Sequence, residues 1–339
     1  MTLRNRMAWA LSLLLSPSMA TAQLQAPISG PILGYVWDRD SGGLRAILGI
    51  PGSSTLSDIL STEAPLRTAE VGPRQDYALA IDESGRVLLL EPATGKPRLI
   101  EGAAAAPDRI VLSPTGASAA LYYRDRRSFQ IVAGLPEAPT ASEEIDISGL
   151  PALITAVALS DRDGIILLAT SDGVYSVGAP PRAPLLVASG VGAGAIAFLE
   201  NSRDALVADR DRDELIWLRD APGAAERVLL ASDRDGLRRP LAVAASAGRV
   251  FVAMAGAVAV VELSGGPLTF VACPCNPSGL HRLKGNSIFR LNEPSADPLF
   301  VLDAGAAELR VLFVPSGSER PPEPARATPA PVFRGRGRP

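Results

Sequence analysis

Histidine occurs once, at position 281, and cysteine twice, in Cys273-Pro274-Cys275. Any Ser-His-Asp or Cys-His relay must run through His281, and a zinc site built on several histidines is excluded. Residues 280–283 read as a strand, where a packed or surface imidazole is the ordinary role, so no catalytic residue is assigned. The cysteines sit where geometry resists pairing. Residues two apart in a strand lie about 6.6 Å apart with side chains parallel, whereas a disulfide needs Cβ atoms about 3.8 Å apart. Pairing requires Pro274 to bend the chain. Three readings stay open: a disulfide or redox pair of Cys273 and Cys275, two reduced thiols, or a soft-metal site shared with His281.

Carboxylates recur in short runs: Asp38/Asp40, Asp161/Asp163, Asp209/Asp211/Asp213 and Asp233/Asp235. Alternating carboxylates can converge on a hard cation such as Ca²⁺, and Asp209, Asp211 and Asp213 come nearest to doing so. Arginines beside them supply competing charge, and an Asp-x-Asp-x-Asp-Gly loop with a distal Glu is missing. Asp and Gly also favour tight turns through local hydrogen bonds, which accounts for the same runs. No cofactor is required, and Ca²⁺ is the hard cation the pattern suggests.

The elements that must position these residues are short strands. Residues 109–133 (RIVLSPTGASAALYYRDRRSFQIVA) read as apolar strand, Ser-Pro-Thr-Gly turn, second strand, charged turn and third strand. Variants of this phrase recur, and Ser113 finds counterparts at Ser160, Glu200 and Ser246, with gaps of 47, 40 and 46 residues. That period matches four-stranded propeller blades of about 40–45 residues. Residues 32–38 and 44–50 form a first hairpin; residues 53–64 fit either a helical turn or a further strand. Apolar residues make up 47% of the 339-residue chain but aromatics only 5%, so the core must be Ala, Val, Leu and Ile. Small side chains on both faces of a sheet suit radial stacking, which buries both faces.

The turns Ser113-Pro114-Thr115-Gly116 and Ser160-Asp161-Arg162-Asp163-Gly164 resemble the Ser-Pro-Asp-Gly turn of bacterial WD40-like and YVTN-type β-propellers. The resemblance covers residues 32–314 and departs from true WD40 repeats, whose Gly-His and Trp-Asp landmarks are absent apart from Trp37-Asp38. It implies an all-β chain, a single propeller of four-stranded antiparallel blades over residues 23–314. Seven blades fit; six is the alternative, if the 32–50 hairpin supplies outer strands to the last blade.

Both ends differ in character. Arg4 and Arg6, the apolar run 7–15 and Ala20-Thr21-Ala22 compose a secretory signal over residues 1–22, with the mature chain expected from Gln23. The run is too short to span a bilayer. Residues 315–339 are Pro-rich and lack apolar periodicity, which predicts a disordered tail. Its Arg334-Gly335-Arg336-Gly337-Arg338 resembles an RGG-type segment and reads as a solvated basic tail. Net charge is −3, so no global basic field recruits nucleic acid.

The resemblance implies an exported, monomeric, non-catalytic binding platform in the periplasm or outside the cell, with an envelope or extracellular protein or a small ligand as partner. The opposing class is a propeller enzyme. A lactonase-like hydrolase would draw Asp161, Asp209 and Asn201 to a channel Ca²⁺, and a glycosidase would need two carboxylates about 5–10 Å apart. Quinoprotein propellers carry repeated Trp motifs, whereas only Trp37 and Trp217 follow the signal. A third class uses the tail as a tether in envelope assembly.

Overall fold

The computed structural model describes residues 30–178, 183–223, 225–285, 287–294 and 298–316. The expected signal segment 1–22 and residues 317–339 of the expected tail lie outside them. Seven antiparallel sheets follow one another along the chain as a seven-bladed propeller: blades 1 to 7 occupy residues 32–59, 66–99, 109–146, 154–189, 193–231, 242–272 and 281–314. Strand order within each blade is sequential, as meander connections dictate.

Burial explains why these residues form strands. The second strands of blades 2, 4 and 5 (Ala78–Asp82, Ile166–Thr170 and Ala205–Asp209) are buried at every position. Neighbouring blades cover both faces, so alternation disappears. Outer strands such as Leu185–Ser189 are largely exposed. The core is divided into clusters between blades: Leu206, Ala208 and Val252 join blades 5 and 6, for example. Leu33, Val36, Ile47 and Leu56 meet Leu283, Leu299, Val301 and Val314, which closes the ring between blades 1 and 7.

Ser113, Ser160, Glu200 and Ser246 all fall where the first strand of a blade ends, so the aligned turns are structural equivalents. Two blades depart from four strands. The fourth strand of blade 3 is split into Thr140–Ala141 and Ile145–Asp146, both paired with Ser128–Ala133. Among the described residues blade 1 has three strands, Ile32–Asp38, Gly43–Ile50 and Ser53–Ile59. The 32–50 hairpin therefore pairs with its own third strand, which removes the six-blade alternative and resolves residues 53–59 as strand.

The junction of blades 7, 1 and 2 is held by polar clasps. Gln75, in the turn after the first strand of blade 2, accepts a hydrogen bond from the Tyr35 N–H of blade 1 at 2.6 Å. Its Nε2 donates to the Arg282 carbonyl of blade 7 at 2.8 Å and to Gly72 at 3.3 Å. Lys284 N–H donates to the Leu33 carbonyl at 2.9 Å. A Cβ at position 34 would lie 2.8 Å from Leu283 Cδ2 and 2.9 Å from Gln75 Oε1, so a larger residue there would push the clasp's side chains aside.

Candidate binding channel

A cavity of about 500 Å³ lies among the first strands of the blades, lined chiefly by blades 1, 2, 3 and 7. Glu70 reaches it from Leu66–Val71 and Arg109 from the start of Arg109–Leu112. His281 opens the two-residue strand His281–Arg282 and pairs in register with Arg290, while Glu293 follows three residues on. Together they make a row. Glu70 Oε1 lies 3.6 Å from His281 Nδ1, His281 Nε2 lies 3.8 Å from Glu293 Oε1, and Arg290 Nη1 lies 2.5 Å from Glu293 Oε2. Burial among the blades would raise the Glu70 carboxyl. The contact and charge of His281, with the charges of Arg290 and Arg109, outweigh it and hold Glu70 below the usual carboxylate range.

Arg282, the next residue, points elsewhere. Its guanidinium crosses to blades 5 and 6, where Nη1 pairs with Glu200 and Nη2 donates to the Ala245 carbonyl at 2.6 Å. Burial pulls the Arg282 pKa down. Arg282 also lines a second cavity of about 160 Å³, reached by half-buried Val111, Leu112, Ala197 and Ala245 of blades 3, 5 and 6, while Leu159, Phe198 and Val243 beside it stay packed between the blades.

The aspartates singled out in the sequence are used in turns and between blades. Asp209 is fully buried; its Oδ1 accepts from the Asp211 and Arg212 N–H groups at 3.0 and 3.1 Å, and Oδ2 pairs with Arg212 at 3.2 Å. Asp213 accepts from Arg239 N–H, and the Asp211 carboxylate lies against Gly192. The device recurs. Asp38, Asp82 and Asp303 also accept backbone N–H groups through Oδ1 and pair through Oδ2 with Arg45, Arg86 and Arg310. Asp161 ties three blades, accepting from Thr115 N–H and Asn201 N–H, each at 2.9 Å, while Asp163 pairs with Arg203. Asp233 and Asp235 lie in one turn of 3₁₀ helix capped by Ser232. Among the described residues no three His, Cys, Asp or Glu side chains gather around a point that could hold a metal ion.

Cys273 and Cys275 are disulfide-bonded, with Cα atoms 5.0 Å apart. Cys273 is buried in the cluster between blades 6 and 7, while His281 faces the channel. Sequence reasoning missed Glu70, Glu293, Arg290 and Gln75. Glu70 stands as a single charge in an ordinary strand pattern, and its neighbours are more than two hundred residues away, so no local signal marks it.

No protein-family model matches the chain, and no curated protein matches it. Solved structures do. A functionally unknown protein from Desulfotomaculum acetoxidans aligns with a TM-score of 0.58 at 11% identity, over 84% of this chain and all of that one. A protein from Lactobacillus plantarum aligns with a TM-score of 0.56 at 14% identity, over 84% and 96% of the two chains. PorZ, a surface component of the type-IX secretion system of Porphyromonas gingivalis, aligns with a TM-score of 0.55 at 12% identity, over 85% of this chain and 39% of that one. WD40 repeats stand among the similar structures too, at a TM-score of 0.56. Similarity at such low identity speaks to architecture alone, and on architecture the geometry and the comparisons agree: the chain folds as a seven-bladed β-propeller.

Proposed function

We propose that this chain is an exported bacterial propeller acting as a non-catalytic binding platform in the cell envelope, which engages its partner at the channel. One observation carries the reading. Glu70, His281, Glu293 and Arg290 form a paired row along a cavity of about 500 Å³ on a rigid ring. Fixed polar groups converging on a cavity suit recognition, and a propeller presents its loops on a stiff frame. Export rests on the signal pattern of residues 1–22. No helix among the described residues is long and apolar enough to cross a membrane.

Capture from envelope extract tests the platform, using the full chain and its Glu70→Lys variant. Wild type should retain a partner and the variant should lose it while remaining folded, with a lowered melting temperature; equal capture by both would overturn the reading. A lactonase-like Ca²⁺ enzyme needs carboxylate oxygens free to face the channel, whereas Asp161 and Asp209 direct theirs to backbone N–H groups. Melting scans with added Ca²⁺ and with chelator separate the two, since a ligand bound only to the folded state raises its stability. The platform reading expects superimposable curves.

A further inference from the structure

We propose that blade 1 takes its fourth strand from the far end of the chain: residues 316–320 lie antiparallel along the outer edge of Ser53–Ile59, with Gly317 opposite Ser54. This goes beyond the platform reading and does not depend on the channel. Among the described residues blade 1 has three strands where the other six blades have four or more. The place of a fourth strand beside Ser53–Ile59 is open, and an uncovered strand edge is a template for pairing.

The chain itself leads to that edge. Beyond the outer strand of blade 7, Arg310–Val314, it crosses to blade 1, where the Leu56 N–H donates to the Pro315 carbonyl at 3.3 Å. That N–H therefore points away from Gly43–Ile50. Inward and outward groups alternate along an antiparallel strand, so the Ser54 N–H and carbonyl point outward too. An antiparallel neighbour that bonds Leu56 through residue 315 next meets Ser54 through residue 317. Pro315 has no N–H to return to Leu56, whereas Gly317 offers both backbone groups.

Room lies on the required side. A cavity of about 610 Å³ is walled by Leu48 and Gly52–Thr55 of blade 1 and by Val311–Phe313 and Pro315. The open edge thus runs from Leu56 toward Ser53, the direction an antiparallel continuation takes. Phe313 is 65% exposed beside it. Residues 316–320 hold no proline, so each can donate to a ladder; Pro321 and Pro322, which cannot, end it.

Amide hydrogen exchange tests this on the full chain, set against chains ending at Pro315 and at Arg320. The Ser54 amide should exchange at least about tenfold more slowly in the full chain and in the chain ending at Arg320 than in the chain ending at Pro315. Equal exchange in the full chain and the chain ending at Pro315 overturns the proposal. Protection lost in the chain ending at Arg320 assigns the edge to residues 321–339, and protection that rises with protein concentration assigns it to a second copy; either result overturns it as well. Cross-linking reads the register. Cys273 and Cys275 are bonded to each other, so Ser53→Cys combined with Ser318→Cys should close a new disulfide on mild oxidation, because directly opposite residues of a non-hydrogen-bonded pair have Cα atoms about 4.5 Å apart. Ser53→Cys combined with Gly317→Cys, whose side chains face opposite sides of the sheet, should stay reduced. Equal cross-linking of the two pairs would refute the register.

Discussion

Blades 4 to 6 and the sector formed by blades 7, 1 and 2 are built on different principles. In the former, full-length strands present Ala, Val, Leu and Ile that vanish from solvent, as at Leu167, Val207 and Val252. In the latter, the first two strands of blade 7 shrink to two and three residues at His281–Arg282 and Ile288–Arg290, and blade 1 shows three strands among the described residues. Gln75, Gly34 and Lys284 hold that sector by hydrogen bonds and close approach. Regular apolar packing leaves little space for polar side chains, whereas a seam fastened by polar clasps can carry them. The charged row of the channel lies on the seam side.

That contrast can be broken most forcefully by emptying the apolar side. Leu167→Ala removes a fully buried side chain between blades 4 and 5, and should cost about 3–5 kcal/mol in urea unfolding. Channel binding should survive in the folded fraction. Gln75→Ala should cost about 1–3 kcal/mol, because it leaves the buried Tyr35 N–H and the partly buried Arg282 carbonyl without their partner. Here binding should fall with stability, since the same bond fixes the backbone that carries Arg282 and His281. If Gln75→Ala behaved like Leu167→Ala, leaving binding intact, the seam would have no special part in the site.

A smaller effect follows from acid. The Glu70 carboxyl is held below the 4.5 of an unperturbed glutamate, so it gives up its proton more readily when folded. Its stabilising contribution is complete above that pH and is lost as pH falls through the folded value. Wild type and Glu70→Gln should therefore differ in melting temperature at pH 7 and converge toward pH 3. A difference that grew on acidification would refute the assignment. Smallest of all should be Arg203→Ala, which removes exposed pairs to Asp163 and Asp220. Exposed pairs contribute about 0–1 kcal/mol, so chemical denaturation should register a shift near the lower end.

The ring was legible because its signal is local and repeated. Ser113, Ser160, Glu200 and Ser246 share a place at the end of each first strand, where the chain must turn, and the period follows from four short strands. The turn role of Asp38 and Asp209 was legible as well, since an aspartate that accepts the N–H groups two and three residues on is a sequence-local device. The channel was not. Glu70 meets His281 across 211 positions, and one glutamate in a strand looks like any solvated charge. The three-stranded first blade also escaped notice, because residues 53–64 carry Leu56, Ile59 and Leu60 at spacings both helix and strand accept.

Gln75 fastens residue 35 to residue 282, which lies 207 positions beyond it. The clasp can form only after the last sheet has been delivered. Six blades can assemble as each emerges, yet the first keeps one flank uncovered until the seventh arrives. Contacts between such distant parts of a chain are slow to form. Closure should thus be the final event of maturation, and a chain halted before residue 282 should persist as an open arc that chaperones and proteases can recognise.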